Sequence, residues 1–329
     1  MGKMLLRGLH MTIDSRSYID AMHAVLVYAG LTSYSKAVLS GMTVTGFRFV
    51  VNRRLTSESA TAYNWMAENF LAADFVGVTA SQSAGFSFHP TFPLYQNQAL
   101  FDVKASIDRG IGAVFWKERF VIATGYDDEE EMLYYDDGEG LGTQRMPYGE
   151  FGINRSPYWY YQVFEGRIKL DPVEVYKESL VQAVYKWETH DIMLPEAEYA
   201  CGSEAYEAIK QALINDDFEP LQAYEIFRCY AAAKGDISEY MDILHSFWPE
   251  LGAAAKAYHE AAISFQAAAE MMTEHGCLTE LTELTDEQRI QSLVHLFDGA
   301  QRAEQKAIDH IKLFMQERIG NRFDNIGLR

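Results

Sequence analysis

Apolar residues recur at helical spacing in the first clear pattern of the chain. Tyr18, Met22, Val25, Leu26 and Ala29 fall on one face, the spacing of a helix with one side buried. Asp14, Ser15, Arg16 and Ser17 precede it as polar capping residues, and Gly30 closes it. A short helix over 36–40 follows, ended by Gly41. Residues 43–51 alternate and are rich in β-branched side chains, which predicts a strand or a hairpin around Gly46. Residues 57–73 read as a helix with Tyr63, Met66, Ala67, Phe70 and Leu71 on its inner face, and 75–80 as a strand. Ser, Gly, Pro and aromatic residues dominate 81–97, the composition of a long surface loop. A helix is predicted over 99–109, with Val103 and Ile107 inside. Three short apolar runs, 113–116, 120–124 and 132–135, are separated by polar or acidic turns, as in an antiparallel meander. The aromatic run 158–167 predicts one more strand.

At Leu170-Asp171-Pro172 the period changes and stays helical. Asp171 caps and Pro172 occupies the first turn of a helix over 172–188. Further helices are expected at 203–214, 220–233, 237–247, 249–275 and 285–318, with 321–329 as a docked or frayed end. The last two are long and rich in Ala, Glu and Gln, as in a helical bundle. The expected fold class is α+β: helices packed on a twisted antiparallel sheet over 1–167, then an all-α helical domain over 168–329. A chain of 329 residues has room for both.

Composition narrows the function classes. Hydrophobic residues make up 48% and charged residues 23%, which fits a globular protein with a large core. The net charge is −19 and is uneven: 14 Lys and Arg stand against 18 Asp and Glu in 1–167, and 14 against 29 in 168–329. Such a surface repels nucleic acid and anionic membranes, so neither is an expected partner. No apolar run approaches the roughly 18 residues that cross a bilayer. No secretory apolar stretch follows Met1-Gly2-Lys3, so the cytoplasm is the expected location. Cys201, Cys229 and Cys277 are too few and too scattered for a disulfide framework or a zinc knuckle. His190, His245, His259, His275, His295 and His310 lack the spacing of metal ligands on helices. No metal or other cofactor is expected. The five consecutive carboxylates at 127–131 read as a solvated turn, because calcium loops interleave their ligands around a glycine. Asp136-Asp137-Gly138-Glu139-Gly140 is a better cation candidate, and also reads as a glycine-rich strand exit.

The segments Ser17 to Gly30, Ala113-Val114-Phe115-Trp116, Arg119-Phe120-Val121-Ile122, Gly125-Tyr126-Asp127 and Tyr134-Tyr135-Asp136 together resemble a papain-like pattern. The order is similar to the double-glycine peptidases that process bacteriocin leaders, and to the N-terminal domain of the butirosin-biosynthesis acyltransferase type. The resemblance covers the first half of the chain. It implies a nucleophilic cysteine at the start of the first buried helix, a histidine heading the second strand of the meander, and an Asp or Asn after the third. Ser17 stands at the first of these positions and Arg119 at the second; Asp136 alone agrees. No cysteine precedes Cys201, so no thiol serves this domain.

A site of this kind needs a nucleophile, a base within reach and a group that orients the base. A helix N-terminus helps a thiolate far more than a hydroxyl, and arginine stays protonated at neutral pH. Ser17 is therefore expected in an N-cap, and Arg119 in an ion pair with Asp136 or Asp14. The degenerate cleft could still hold a carboxylate or phosphate on the Arg119 fork. Trp116 and the aromatic residues 158–161 are expected in the core and the cleft wall, and His89 on the loop that reaches it. His10 has no evident partner, and His23 is expected to pack on its helix. The expected function is non-catalytic binding of a small molecule or peptide, with Ser17, Arg119, Asp136, His89 and Trp116 as the candidate residues. Two alternatives stand beside it. One is an acyltransferase or hydrolase with a rearranged site using Ser17 or His89. The other is a structural oligomerisation protein, a homodimer through the C-terminal helices.

Overall fold

The computed structural model describes residues 2–15, 18–272 and 286–326. In chain order the elements begin β1 (Lys3–Leu5), α1 (Tyr18–Tyr28), α2 (Lys36–Met42), β2 (Val50–Asn52), α3 (Trp65–Val76), β3 (Val78–Phe86) and α4 (Phe92–Asp108). The strands β4 (Ala113–Trp116), β5 (Phe120–Asp127), β6 (Met132–Asp136), β7 (Gln144–Pro147) and β8 (Tyr158–Arg167) follow. The remainder is α5 (Pro172–Glu188), β9 (Tyr199–Cys201), α6 (Ser203–Asn215), α7 (Pro220–Phe247), α8 (Gly252–Glu270) and α9 (Asp286–Ile326). The protein is α+β. Its residues divide into two compact units: Met1–Leu39 with Asn64–Leu170, and Ser40–Tyr63 with Asp171–Arg329. The second unit thus takes residues 40–63 out of the N-terminal half of the chain.

The first unit is built on a seven-stranded antiparallel sheet in the order β3-β8-β4-β5-β6-β7, with β1 added to β5. β4 pairs with the first half of β5 and β1 with its last three residues, Lys3 opposite Asp127 and Leu5 opposite Gly125. Every residue of β5 is buried, as expected of a central strand covered on both faces. β3 is the edge strand and carries Ser81, Gln82 and Ser83. That polar composition made 81–97 look like a loop. Instead Ser81 to Phe86 pair residue by residue with β8, and α4 already starts at Phe92, with Pro93 in its first turn. The helix expected over 57–73 is two pieces: a 3-10 turn at Ser57–Thr61, then α3. Asn64 Oδ1 accepts the Ala67 amide at 3.1 Å and starts the second piece afresh. Of the strand or hairpin expected over 43–51, only Val50 and Val51 are extended, as the start of β2.

The acidic turn after β5 is not simply solvated. Asp127 is buried, accepts from Lys3 Nζ at 2.6 Å, and caps the amides of Glu129 and Glu130. Asp128 accepts from the Gly2 amide, the Tyr148 hydroxyl and Lys104 Nζ. Two of the five carboxylates therefore fasten β1 to the sheet, and these bonds hold both below the usual carboxylate range.

The second unit packs α5 to α9 around a two-stranded ribbon, β2 against β9. Phe49 lies at its centre, edge-on to Tyr206, Tyr230 and Phe265 at centroid distances of 4.8, 4.7 and 5.6 Å. The Tyr230 hydroxyl accepts the Val50 amide and donates to the Val50 carbonyl. Beside this cluster Lys234 Nζ donates to both oxygens of Glu304, at 2.6 and 2.7 Å, and both side chains are buried. Tyr206 donates to the same carboxylate at 2.6 Å. The helices expected at 220–233 and 237–247 are one, α7, which runs through Gly235 without a break. Cys201 and Cys229 are buried; Cys277 and His275 lie outside the described residues. Among the described residues, no helix is long and apolar enough to cross a membrane.

Candidate functional site

Five strand ends of the first unit meet at one edge of the sheet. β3 ends at Phe86, β8 begins at Tyr158, β4 ends at Trp116, β5 begins at Phe120, and β6 ends at Asp136. Side chains alternate across a strand, so Tyr158, Tyr160 and Gln162 share the face that α1 and α3 cover. Tyr18, the first residue of α1, lies edge-on to Phe120 at 5.6 Å and donates through its hydroxyl to Gln162. Gln162 Nε2 in turn donates to the Asn69 carbonyl of α3 and to Gln82 Oε1 of β3. Tyr160 donates to the same Gln82 oxygen, and Gln82 Nε2 donates to the Met66 carbonyl. This buried amide network locks the starts of two helices against three strands. Buried polar groups linked in this way fix one packing arrangement.

In front of that network runs a row of aromatic rings. Phe88 stacks on Phe86 at 5.2 Å, and Phe86 meets Tyr158 at 5.3 Å. Tyr158 meets Trp65 at 6.1 Å, and Trp65 meets Trp116 at 4.6 Å. Trp116 then stands edge-on to Phe120 at 5.2 Å. The outer rings of the row are exposed, Phe88 by 68%, Phe86 by 40% and Tyr158 by 50%, whereas Trp116 at its inner end is 8% exposed. The indole Nε1–H of Trp116 is buried and meets no acceptor among the described residues. A donor left in that state costs about 1–3 kcal/mol. His89 lies at the outer end, stacked on Phe86 at 5.5 Å and against Phe88 at 4.8 Å. The turn from β4 to β5 is held by Asn154, which accepts the Glu118 amide and donates to the Tyr158 carbonyl. Glu118 itself sits in the left-handed region at φ 58°.

The other end of the strand edge is polar. Asp136 is buried, and its Oδ1 accepts the Gly138 amide at 2.9 Å. Its Oδ2 faces the Met11 amide at 3.3 Å and His10 Nδ1 at 3.2 Å. Arg119 forms an ion pair with Glu139 rather than with Asp136 or Asp14. At the start of α1, Asp20 reaches back to accept the amides of Asp14 and Ser15 and the Ser15 hydroxyl. Burial pushes the Asp20 carboxyl up to about 6, against the opposing pull of Lys36 and these hydrogen bonds. His23 is half-buried on α1, which lowers its pKa, while its contact with the Tyr34 backbone opposes the shift.

No protein-family model and no curated protein matches this chain.

Of the residues singled out in the sequence, Trp116 and His89 lie at the inner and outer parts of one aromatic row, and Arg119 and Asp136 at the same strand edge. Ser17 lies outside the described residues. Three participants carried no sequence signal strong enough to single them out. Trp65 sat inside a misplaced helix, and Phe86 inside a supposed loop. His10 showed no partner because its carboxylate lies 126 positions later. Among the described residues, no group of three or more His, Cys, Asp or Glu is placed to hold a metal ion, and Asp136 in the better cation candidate is already committed to two backbone amides and a histidine.

Proposed function

We propose that the first unit is a papain-like domain without thiol chemistry, and that it binds a small molecule or short peptide along its aromatic row. The observation that carries this reading is the buried, unanswered indole N–H of Trp116 at the inner end of a row whose outer rings are open to solvent. A site that offers apolar ring faces and one oriented donor suits a ligand with a planar or branched apolar body and a carbonyl oxygen. The papain-like reading is supported by α1 seated with its first residue on the head of β5, and by Asp136 at the end of the neighbouring strand. Arg119 is engaged by Glu139, so its guanidinium neither accepts a proton nor stands free as an anion fork, and the binding role falls to the aromatic row.

N-acetyl-phenylalanine amide, which carries a ring and amide carbonyls, is a suitable probe. Titrated into the full chain, it is expected to shift the Trp116 indole N–H resonance downfield. Trp116→Phe keeps a ring and removes the donor, and is expected to weaken binding about tenfold, the loss of one buried hydrogen bond. An indole signal unmoved at saturating probe, or equal affinity in the variant, rejects the reading.

A further inference from the structure

We infer that His10 and Asp136 form an acid–base pair, so that this strand edge retains a proton-transferring group although the strand position expected to supply one holds Arg119. The inference goes beyond the binding reading and does not depend on the aromatic row. Asp136 is buried at the end of β6, and two backbone amides, those of Met11 and Gly138, hold its carboxylate from two sides. A carboxylate fixed in this way directs whatever shares its Oδ2, and here that is His10 Nδ1. The Nδ1–H tautomer is the one in which the ring donates to the carboxylate, and it leaves the Nε2 lone pair on the far side of the imidazole. The His10 side chain is 62% exposed, against 6% for that of Asp136. A buried acid thus orients an open base, the arrangement general-base catalysis requires.

The contact also ties the segment before α1 to the sheet, but that task needs only a donor. The Met11 amide already supplies one to the same oxygen. The open ring nitrogen has no structural use in the tie.

The chemistry this pair supports is transfer of a proton from water, an alcohol or an amine as it attacks an acyl carbon. With water, the O–H bond breaks and its proton goes to Nε2. The oxygen lone pair forms the new C–O bond while the carbonyl pair moves to oxygen. The adduct collapses with loss of the leaving group, which takes the proton back from the imidazolium. Asp136 keeps its hydrogen bond to Nδ1 throughout and stabilises the imidazolium.

p-Nitrophenyl acetate tests the pair in the full-length protein, the products being acetate and p-nitrophenol. His10→Asn places its Nδ2 where Nδ1 was, keeps a donor for Asp136, and removes Nε2. The protein-dependent rate is expected to fall at least fivefold in His10→Asn with the melting temperature unchanged, and to stay at the parent value in His295→Asn. Long-range proton–nitrogen spectra of the parent protein are expected to show His10 as the Nδ1–H tautomer, moving toward Nε2–H in Asp136→Asn. A parent rate in His10→Asn, or a His10 already in the Nε2–H form in the parent protein, overturns the inference.

Discussion

Asp20 illustrates how one carboxylate can organise a loop at a cost. It terminates the stretch leading into α1 by accepting from two amides and a hydroxyl. A negative charge in the first turn also suits the helix dipole. Burial outweighs these contacts and raises its pKa to about 6 from 3.8. The folded state therefore holds this proton more tightly than the unfolded chain. The resulting stabilisation is fully present below the unfolded pKa and is lost as pH rises through about 6. Comparing urea unfolding of the parent protein and Asp20→Asn across pH 3.5–7 isolates the effect. The parent should lose about 3 kcal/mol relative to the variant over that range. Parallel pH profiles would exclude Asp20 as the source.

At the scale of elements, the ion pair between α7 and α9 makes a sharper demand. Lys234 and Glu304 are both buried, and the ammonium also lies 4.7 Å from the Phe49 ring centre. Lys234→Met leaves the buried Glu304 carboxylate, which also accepts from the Tyr206 hydroxyl, without its cation, and should cost about 3–5 kcal/mol in chemical denaturation. Adding Glu304→Met should restore most of it, with a residue of about 1 kcal/mol for the stranded Tyr206 hydroxyl. A double variant as unstable as the single one would assign the loss to packing instead. Elements with strong periodicity were legible in advance. The meander and its register neighbours, α1, α5 and α6 follow directly from spacing and caps. β3 was hidden because an edge strand tolerates Ser and Gln on both faces. β1 was hidden because three residues carry too little pattern. The same limits govern the site: Trp116, Arg119 and Asp136 lie in legible strands, whereas Phe86 and His10 acquire meaning only from partners distant in the chain.

At the scale of the molecule, the division into units does not follow the chain. Residues 40–63 belong with the helices of the second unit, and Phe49 stands among the rings of α6, α7 and α8. Phe49→Ala is expected to destabilise that unit by about 3–5 kcal/mol. Hydrogen exchange should then quicken in α6 to α9 while β4, β5 and β8 keep their protection. Equal quickening in both sets would mean that the two units unfold as one. The excursion also has a consequence for biosynthesis. Val50 finds its partner Tyr230 180 positions further along. At 5–20 residues per second, a ribosome leaves that strand without its core for roughly 10–40 s. Throughout this interval the nascent chain displays Phe47, Phe49, Val50 and Val51, an apolar β-prone segment of the kind that chaperones shield and that aggregates when they do not. The demand for such help is set by the threading of the chain, independently of how stable the finished protein is.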